Sequence, residues 1–293
     1  MLILLLLLLN SVAAASEPEV ATSLFASRVA ALEKDNGGRI GVAVISTDGA
    51  PLLSYRANER FAICSTFKVL LGAAVLARVD SILESLDRSI PYDSSAMLDW
   101  APITRDHLAA GHMTVSDLNA ASIQHSDNTA ANLLLNIIGG PSGLTQYLRS
   151  IGDVTTRLDR NEPSLNTNMA GDVRDTTTPQ AMAETLRKVL TGKYLSPASK
   201  EQLQAWMFGN TTGDSKLRAG FDKSWIVGDK TGSGENGASN DVAIVFPREM
   251  PPFIITVYYS GSTSSGEAKS AVLAEIARIT GAILLNNSQK PDK

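Results

Sequence analysis

The chain of 293 residues contains one cysteine, three histidines and few aromatic residues, which make up 5% of the total. The single cysteine, Cys64, excludes a disulfide within the chain, so stability must come from packing. The histidines His107, His112 and His125 lack the His-x-His or His-Glu-x-x-His spacing of metal sites, and we expect no metal and no other cofactor. An excess of basic residues is also absent, because the net charge is −4. This charge argues against a nucleic-acid-binding protein.

Long apolar runs are absent from the chain after its first residues, and a bilayer-spanning helix needs about 20 residues. The N-terminus is an almost pure leucine segment, residues 2–9, followed by the mostly small residues of 11–16. This pattern predicts a signal peptide over 1–15, cleaved after Ala15, although the usual basic residues before the apolar core are missing. A buried strand or helix is the alternative for this segment. We therefore expect export to the periplasm or the medium, without a stable membrane anchor.

Hydrophobic residues make up 44% of the chain and charged residues 19%, the balance of a globular protein. Apolar runs separated by turn residues predict a hairpin over 41–55 and strands at 225–230, 242–246 and 253–259. Apolar spacing and end signals predict helices over 67–79, 115–122, 128–138, 142–150, 179–190, 197–206 and 268–285. Strands at both ends with helices between them predict an α/β fold of the α+β type in one domain, 16–293. An antiparallel sheet lobe flanked by helices would take about 16–60 plus 210–293, and an inserted all-α lobe about 65–208.

Three short strings carry the groups needed for acyl transfer by a serine without a histidine: Ser65-Thr66-Phe67-Lys68, Ser126-Asp127-Asn128 and Lys230-Thr231-Gly232. The spacing of three places Ser65 and Lys68 on one face at the start of the most apolar helix. Burial there would lower the pKa of Lys68 and let it exchange protons near neutral pH, whereas a surface lysine is the alternative. The N-terminus of that helix also offers backbone N–H groups to a developing oxyanion. Each string alone is a weak signal, since the second is equally typical of a helix N-cap and the third is common in turns.

In this order the three strings resemble those of the serine β-lactamases and the penicillin-binding enzymes. A fourth segment, Arg160 to Asp175, resembles the hydrolytic loop of the class A β-lactamases, and its length suits a compact Ω-loop. The resemblance extends from the hairpin to the final helix. It implies a β-lactamase/transpeptidase-like fold and hydrolysis of the β-lactam ring of penicillins and cephalosporins through a serine acyl-enzyme, which gives antibiotic resistance.

The resemblance also implies a role for each motif residue. Ser65 is the nucleophile, Lys68 and Ser126 relay protons, and Glu162 and Asn166 hold the water that attacks the ester. The backbone N–H groups of Ser65 and Ser233 form the oxyanion hole. The substrate is bound by Trp100, Asn128, Lys230, Thr231, Gly232 and Ser233, and Arg160 pairs with Asp175 across the neck of the loop. Whether Lys68 or Glu162 accepts the first proton stays open.

Several positions bear on substrate range. Trp100 aligns with an aromatic residue that flanks the cleft mouth in many relatives, with a plain core tryptophan as the alternative. The hydroxyl of Ser233 mildly favours cephalosporins. Cys64 faces Gly234 and not a second cysteine, so the disulfide typical of carbapenem-hydrolysing members is absent and weak carbapenem hydrolysis is expected.

An arginine that many relatives carry after Lys-Thr-Gly is missing, because Ser239 and Asn240 occupy that region. Its charge could come from Lys216 or Arg218 on a neighbouring segment. A solvated lysine is the alternative for Lys216.

Two other functions share the first three motifs. A penicillin-binding DD-peptidase or transpeptidase lacks the deacylating glutamate, and a β-lactam sensor domain binds the drug covalently and signals. The loop with Glu162 and Asn166 argues against the first, and the lack of a membrane-spanning segment after the leader argues against the second. The expected partners are β-lactam antibiotics and β-lactamase inhibitors, with no nucleic acid, and the expected oligomeric state is a monomer.

Overall fold

The protein is described here by a computed structural model that covers residues 17–288, so the predicted signal peptide lies outside the described residues. The strands are β1 Arg39–Ser46, β2 Pro51–Tyr55, β3 Phe61–Ala62, β4 Ser89–Pro91, β5 His112–Thr114, β6 Thr176–Thr177, β7 Ile226–Ser233, β8 Ser239–Phe246 and β9 Phe253–Ser260. The helices are α1 Glu17–Asn36, α2 Phe67–Asp80, α3 Pro102–Asp106, α4 Val115–Gln124, α5 Asn128–Ile137, α6 Gly140–Ser150, α7 Pro179–Leu190, α8 Pro197–Phe208, α9 Leu217–Gly220 and α10 Gly266–Ser288.

The main sheet has five antiparallel strands in the order β2-β1-β9-β8-β7. The N-terminal strand β1 pairs along its length with β9, with Val42 opposite Val257. This pairing joins the two ends of the chain in one sheet. Most side chains of β8 and β9 are buried on both faces, which explains why these strands read as continuous apolar runs. Strand β7 lies at the sheet edge, which leaves one side of its backbone unpaired by the sheet.

Helices α1 and α10 pack on one face of this sheet. Helix α1 was not predicted, although Ala21, Phe25 and Val29 recur at a spacing of four and are buried in the same cluster as Ile276 of α10. That spacing is a helical signal. Helix α1 begins at Glu17, directly after the leader-like segment, and its first residues are two acids and a proline, not apolar residues.

Helix α2 lies at the centre of the helical part, with every side chain from Phe67 to Leu76 buried. Helices α4, α5, α6 and α8 pack around it, as its apolar character on most sides predicts. The two-stranded ladders β3–β6 and β4–β5 were not predicted, because two or three residues are too few to show a strand period.

The mixed architecture confirms the predicted α/β fold class, whereas the proposed lobe limits stay a prediction. None of the helices found between residues 17 and 288 is both long and apolar enough to cross a bilayer.

Candidate active site

The turn that carries Ser65 connects β3 to the central helix. Residues Cys64–Thr66 form a 3-10 turn that continues into α2, and Cys64 adopts a left-handed φ of 44°. Strand β7 passes so close to this turn that a Cβ on Gly232 would lie 3.2 Å from both Cys64 Cβ and Thr66 Cγ2. The lack of a side chain at Gly232 therefore lets β7 approach the backbone of this turn closely. Gly232 is not among the residues that line the cleft.

Lys68 is fully buried, so the surface alternative is wrong. Its Nζ donates to Ser126 O at 2.8 Å and to Asn128 Oδ1 at 2.6 Å, and lies 3.0 Å from Glu162 Oε1. With Ser126 Oγ as a fourth, longer contact at 3.3 Å, these acceptors are enough to occupy all three N–H groups of an ammonium. Burial lowers the pKa of Lys68, against the opposing effect of the Glu162 carboxylate.

Ser126 lies between two buried lysines. Its φ of 56° is left-handed, and its Oγ accepts from Lys68 Nζ at 3.3 Å and from Lys230 Nζ at 3.1 Å. Burial, followed by the positive charge of Lys68, lowers the pKa of Lys230 to about 7. The N-cap interpretation of this string holds for Asp127, whose Oδ1 accepts from Ala130 N at 2.9 Å at the start of α5. The string thus combines a cap with two cleft residues.

The loop 160–175 brings Glu162 to Ser65. Ser65 Oγ donates to Glu162 Oε1 at 3.2 Å, and Asn166 Nδ2 donates to Glu162 Oε2 at 2.5 Å. At the neck of the loop, Arg160 Nε lies 2.5 Å from Asp175 Oδ2. Asp175 is buried, and its Oδ1 also accepts from the backbone N–H of Arg160. The carboxylate of Glu162 therefore lies between the Ser65 hydroxyl and the Asn166 amide.

Two residues that sequence reasoning missed support this geometry. Asn132 clamps the backbone of Glu162, since its Nδ2 donates to Glu162 O and its Oδ1 accepts from Glu162 N, both at 3.0 Å. Thr212 Oγ1 lies 2.5 Å from Thr231 Oγ1 at the cleft wall. Asn132 follows Asn128 by one helical turn, which is the only sequence signal for it.

The cleft has a volume of about 410 Å³ and is lined by Ser65, Trp100, Ser126, Asn128, Asn166, Thr212, Lys216, Thr231 and Ser233. Trp100 is 58% exposed, so the core alternative for it is wrong. Its indole Nε1 donates to His125 O at 3.1 Å, and its own carbonyl accepts from Asn128 N at 2.9 Å. These bonds connect the exposed ring at the mouth to the polar floor of the cleft.

Lys216 and Arg218 differ in where they place their charge. Lys216 is buried and lines the cleft, where its Nζ donates to Gly232 O at 3.3 Å and to Asn240 O at 3.2 Å. Arg218 instead contacts Asp229, with Nη2 and Oδ1 2.5 Å apart. Of these two residues, Lys216 is therefore the one whose charge lies at the cleft, and the solvated alternative for it is wrong.

Comparisons with known proteins agree with this geometry. Residues 24–284 match the model of the "Beta-lactamase enzyme family". The chain is 46% identical over 248 residues to β-lactamase OXY-2 of Klebsiella oxytoca and 47% identical over 249 residues to β-lactamase CTX-M-97 of Escherichia coli, with 85% of each chain covered in both cases. It also superimposes with a TM-score of 0.88 and 53% identity on a solved variant of the class A β-lactamase of the last common ancestor of Gram-negative bacteria, bound to the transition-state analogue 5(6)-nitrobenzotriazole. That match covers 90% of this chain and 99% of the other.

Proposed function

The chain belongs to the class A β-lactamase family, and we propose that it hydrolyses penicillins and cephalosporins through an ester on Ser65. β-Lactam hydrolysis and antibiotic resistance are the functions that its relatives support. The observation that carries the serine mechanism is the contact of the Glu162 carboxylate with the Ser65 hydroxyl at 3.2 Å. A general base must lie within hydrogen-bond reach of the proton that it takes.

In the acylation step, Glu162 accepts the proton of Ser65 as Oγ attacks the lactam carbonyl. The geometry supports Glu162 over Lys68 as the first acceptor, because each N–H of a charged Lys68 already has an acceptor. The cation of Lys68 then stabilises the negative charge near the nucleophile. The N–H groups of Ser65 and Ser233, two residues of the cleft wall, would stabilise the oxyanion.

Ser126 delivers a proton to the departing lactam nitrogen. Its Oγ accepts from Lys68 and Lys230, so its own O–H is free to donate into the cleft. Lys68 can replace that proton from 3.3 Å away. Glu162 then passes the proton that it took from Ser65 to Lys68, whose Nζ lies 3.0 Å from Glu162 Oε1, so the carboxylate is ionised again before deacylation. Asn128, on the same wall, would accept the amide N–H of the drug side chain.

Deacylation follows from the change that acylation makes at Ser65. Once its oxygen is an ester, it carries no hydrogen, so the bond to Glu162 Oε1 is lost and that oxygen can accept from a water instead. Asn166 still donates to Glu162 Oε2, which keeps the carboxylate aimed at the ester. Glu162 then deprotonates the attacking water and gives that proton to Ser65 Oγ as the bond between Oγ and the acyl carbon breaks, which releases the acid and restores the Ser65 hydroxyl.

Four groups would bind the substrate carboxylate: the cations of Lys230 and Lys216 and the hydroxyls of Thr231 and Ser233. We expect Lys216→Ala to raise KM for a penicillin about tenfold or more, with a smaller change in kcat, because a hydrogen bond to a charged group contributes about 1.5–3 kcal/mol. The exposed Lys223 provides the control substitution. An unchanged KM would remove Lys216 from the carboxylate site.

Glu162→Ala tests the mechanism. Loss of the Glu162 carboxylate removes the charge that raises the pKa of Lys68. Burial then lowers this pKa further, so a neutral lysine can still support slow acylation. Hydrolysis of the ester lacks its general base in this variant, so the acyl-enzyme should accumulate and be visible by intact-protein mass. The exposed Glu201 on α8 gives a matched Glu→Ala control, and Ser65→Ala should abolish the adduct. Undiminished turnover by Glu162→Ala would exclude this role, and a stable adduct on the unmodified protein would favour a penicillin-binding peptidase.

The same proposal includes a substrate range and a location. Ser233 favours cephalosporins, and the lone Cys64 beside Gly234 leaves carbapenem hydrolysis weak, which rates for one drug of each class would test. The protein would be exported after cleavage of residues 1–15 and act as a monomer on freely diffusing β-lactams.

A further inference from the structure

A second cavity lies on the opposite side of the loop 160–175 from the cleft. Its volume of about 650 Å³ exceeds that of the cleft, and it is lined by the back of the loop, by residues around β3 and by the ends of β1 and β9. Leu165 lines this cavity, whereas the next residue, Asn166, lines the cleft. The volume is in the range of about 300–1,000 Å³ that small-molecule sites occupy.

The walls of this cavity are rich in arginine, although the chain as a whole is acidic. The charged residues that line it are Arg39, Arg60, Arg160, Arg174 and a single acid, Asp172. Three of these arginines have an acidic partner: Arg39 pairs with Glu59, Arg160 with Asp175 and Arg174 with Asp172. The wall therefore keeps an excess positive charge at Arg60.

Arg60 makes no ion pair with any residue in the range 17–288. Its Nη1 donates to Thr155 O and Thr176 Oγ1, both at 3.0 Å, which fixes the guanidinium at the wall. Neither Nε nor Nη2 has a hydrogen-bond partner in the described part of the chain. That Nε–Nη2 edge is the fork that binds a carboxylate or phosphate through two parallel bonds.

Apolar surface lies beside these cations. Phe61 and Leu165 are buried in the wall, and Met169 and Val173 on the loop are 59% and 51% exposed. The Arg39 guanidinium stacks 3.9 Å from the centre of the Phe61 ring. An inorganic ion would leave this apolar surface uncovered, whereas an amphiphilic ligand would use both features.

We propose that this cavity binds a small organic anion, with an apolar or aromatic body against the loop and an acidic group held by the fork of Arg60. The proposal is independent of the catalytic assignment, because the cavity and the cleft have different lining residues.

The test uses 8-anilinonaphthalene-1-sulfonate, an aromatic probe with one acidic group, and the full mature protein. We expect saturable binding at one site, with probe-induced amide NMR shifts at Ala170, Gly171 and Val173. Arg60→Ala should weaken binding about tenfold, as expected for loss of a charge-assisted bidentate contact. The exposed Arg28 on α1 gives the matched control, and Arg28→Ala should leave the dissociation constant within twofold of wild type.

Arg174→Ala provides a second variant if Arg60→Ala fails to fold, since the Arg174 side chain is 55% exposed and bonds only to Asp172 within the described chain. It should weaken binding several-fold by removing a cation from the wall. Shifts confined to the cleft, or to the apolar groove lined by Leu52 and Met250, would overturn the proposal. Equal affinities of the Arg60 or Arg174 variant and the Arg28 control would do the same.

Discussion

Replacing Asn132 with alanine should slow the release of product, because this side chain positions Glu162 without touching the substrate. The change removes two hydrogen bonds of 3.0 Å to the Glu162 backbone. At about 0.5–1.5 kcal/mol each, the two bonds together contribute about 1–3 kcal/mol to the free energy that holds the loop in position. If that free energy is lost from the deacylation transition state, turnover falls about 5- to 150-fold.

The assay separates positioning from folding. Steady-state hydrolysis of a penicillin gives kcat, rapid quenching with intact-protein mass gives the acylated fraction, and hydrogen exchange reports the Glu162 amide directly. Asn132→Ala should lower kcat, raise the acylated fraction and speed exchange at Glu162. Asn132→Asp keeps the acceptor for the Glu162 N–H but places an oxygen against the Glu162 carbonyl. Exchange at the Glu162 amide should therefore rise less in this variant than in Asn132→Ala.

Asn136 gives the matched control, since it lies one turn further along α5 and is exposed. Wild-type turnover by Asn132→Ala would refute the reasoning, and so would an equal loss in Asn136→Ala.

Two further predictions concern the substrate carboxylate and the cleft wall. The pKa of Lys230 is lowered to about 7, so its charge is lost as the pH rises through 7 and kcat/KM for a penicillin should fall on that side. Lys230→Arg should move the decline to higher pH, because a guanidinium stays charged, whereas a flat wild-type profile from pH 6 to 9 would contradict the assignment. Gly234→Ala should lower stability by about 1–3 kcal/mol and slow deacylation, because the new Cβ would lie 2.5 Å from Asn166 O and 2.9 Å from Cys64 Sγ. Gly266→Ala, with open space around its Cβ position, is the control, and equal melting temperatures of the two variants would be evidence against this steric account.

Much of the fold could be predicted from the sequence because its long elements have strong periodic patterns. The predicted helix over 67–79 corresponds to α2, and the predicted strand over 253–259 corresponds to β9, each within one residue at either end. The strand order could not be predicted, since the pairing of β1 with β9 depends on contacts across about 200 residues. No local pattern records such a partner.

The candidate site shows the same limit at the level of side chains. The motif residues were assigned through the resemblance, and the structure connects four of them in series, Ser65 with Glu162, Glu162 with Lys68 and Lys68 with Ser126. Asn132 was missed because it acts on the backbone of a residue 30 positions away. The choice between Lys216 and Arg218 could not be made either, because two cations two positions apart differ only in what surrounds them.

The buried charges of the cleft explain why an anionic substrate would bind there. The charge of Asp229 is paired with Arg218. Burial and the nearby Asp229 raise the pKa of Asp241 well above its ordinary value, and Asp241 makes no ion pair with Lys216 within 4 Å in the described residues.

Lys216 and Lys230 have no acidic partner within 4 Å in the described chain, and their hydrogen bonds go to carbonyl and hydroxyl oxygens. A buried cation without a counter-ion is unfavourable. A substrate carboxylate supplies that missing charge, so part of the binding free energy comes from relief of the desolvation that lowers the pKa of both lysines. On this account an uncharged ester of the same drug would bind much more weakly than the drug itself. The difference in affinity would exceed what the loss of one surface ion pair could explain.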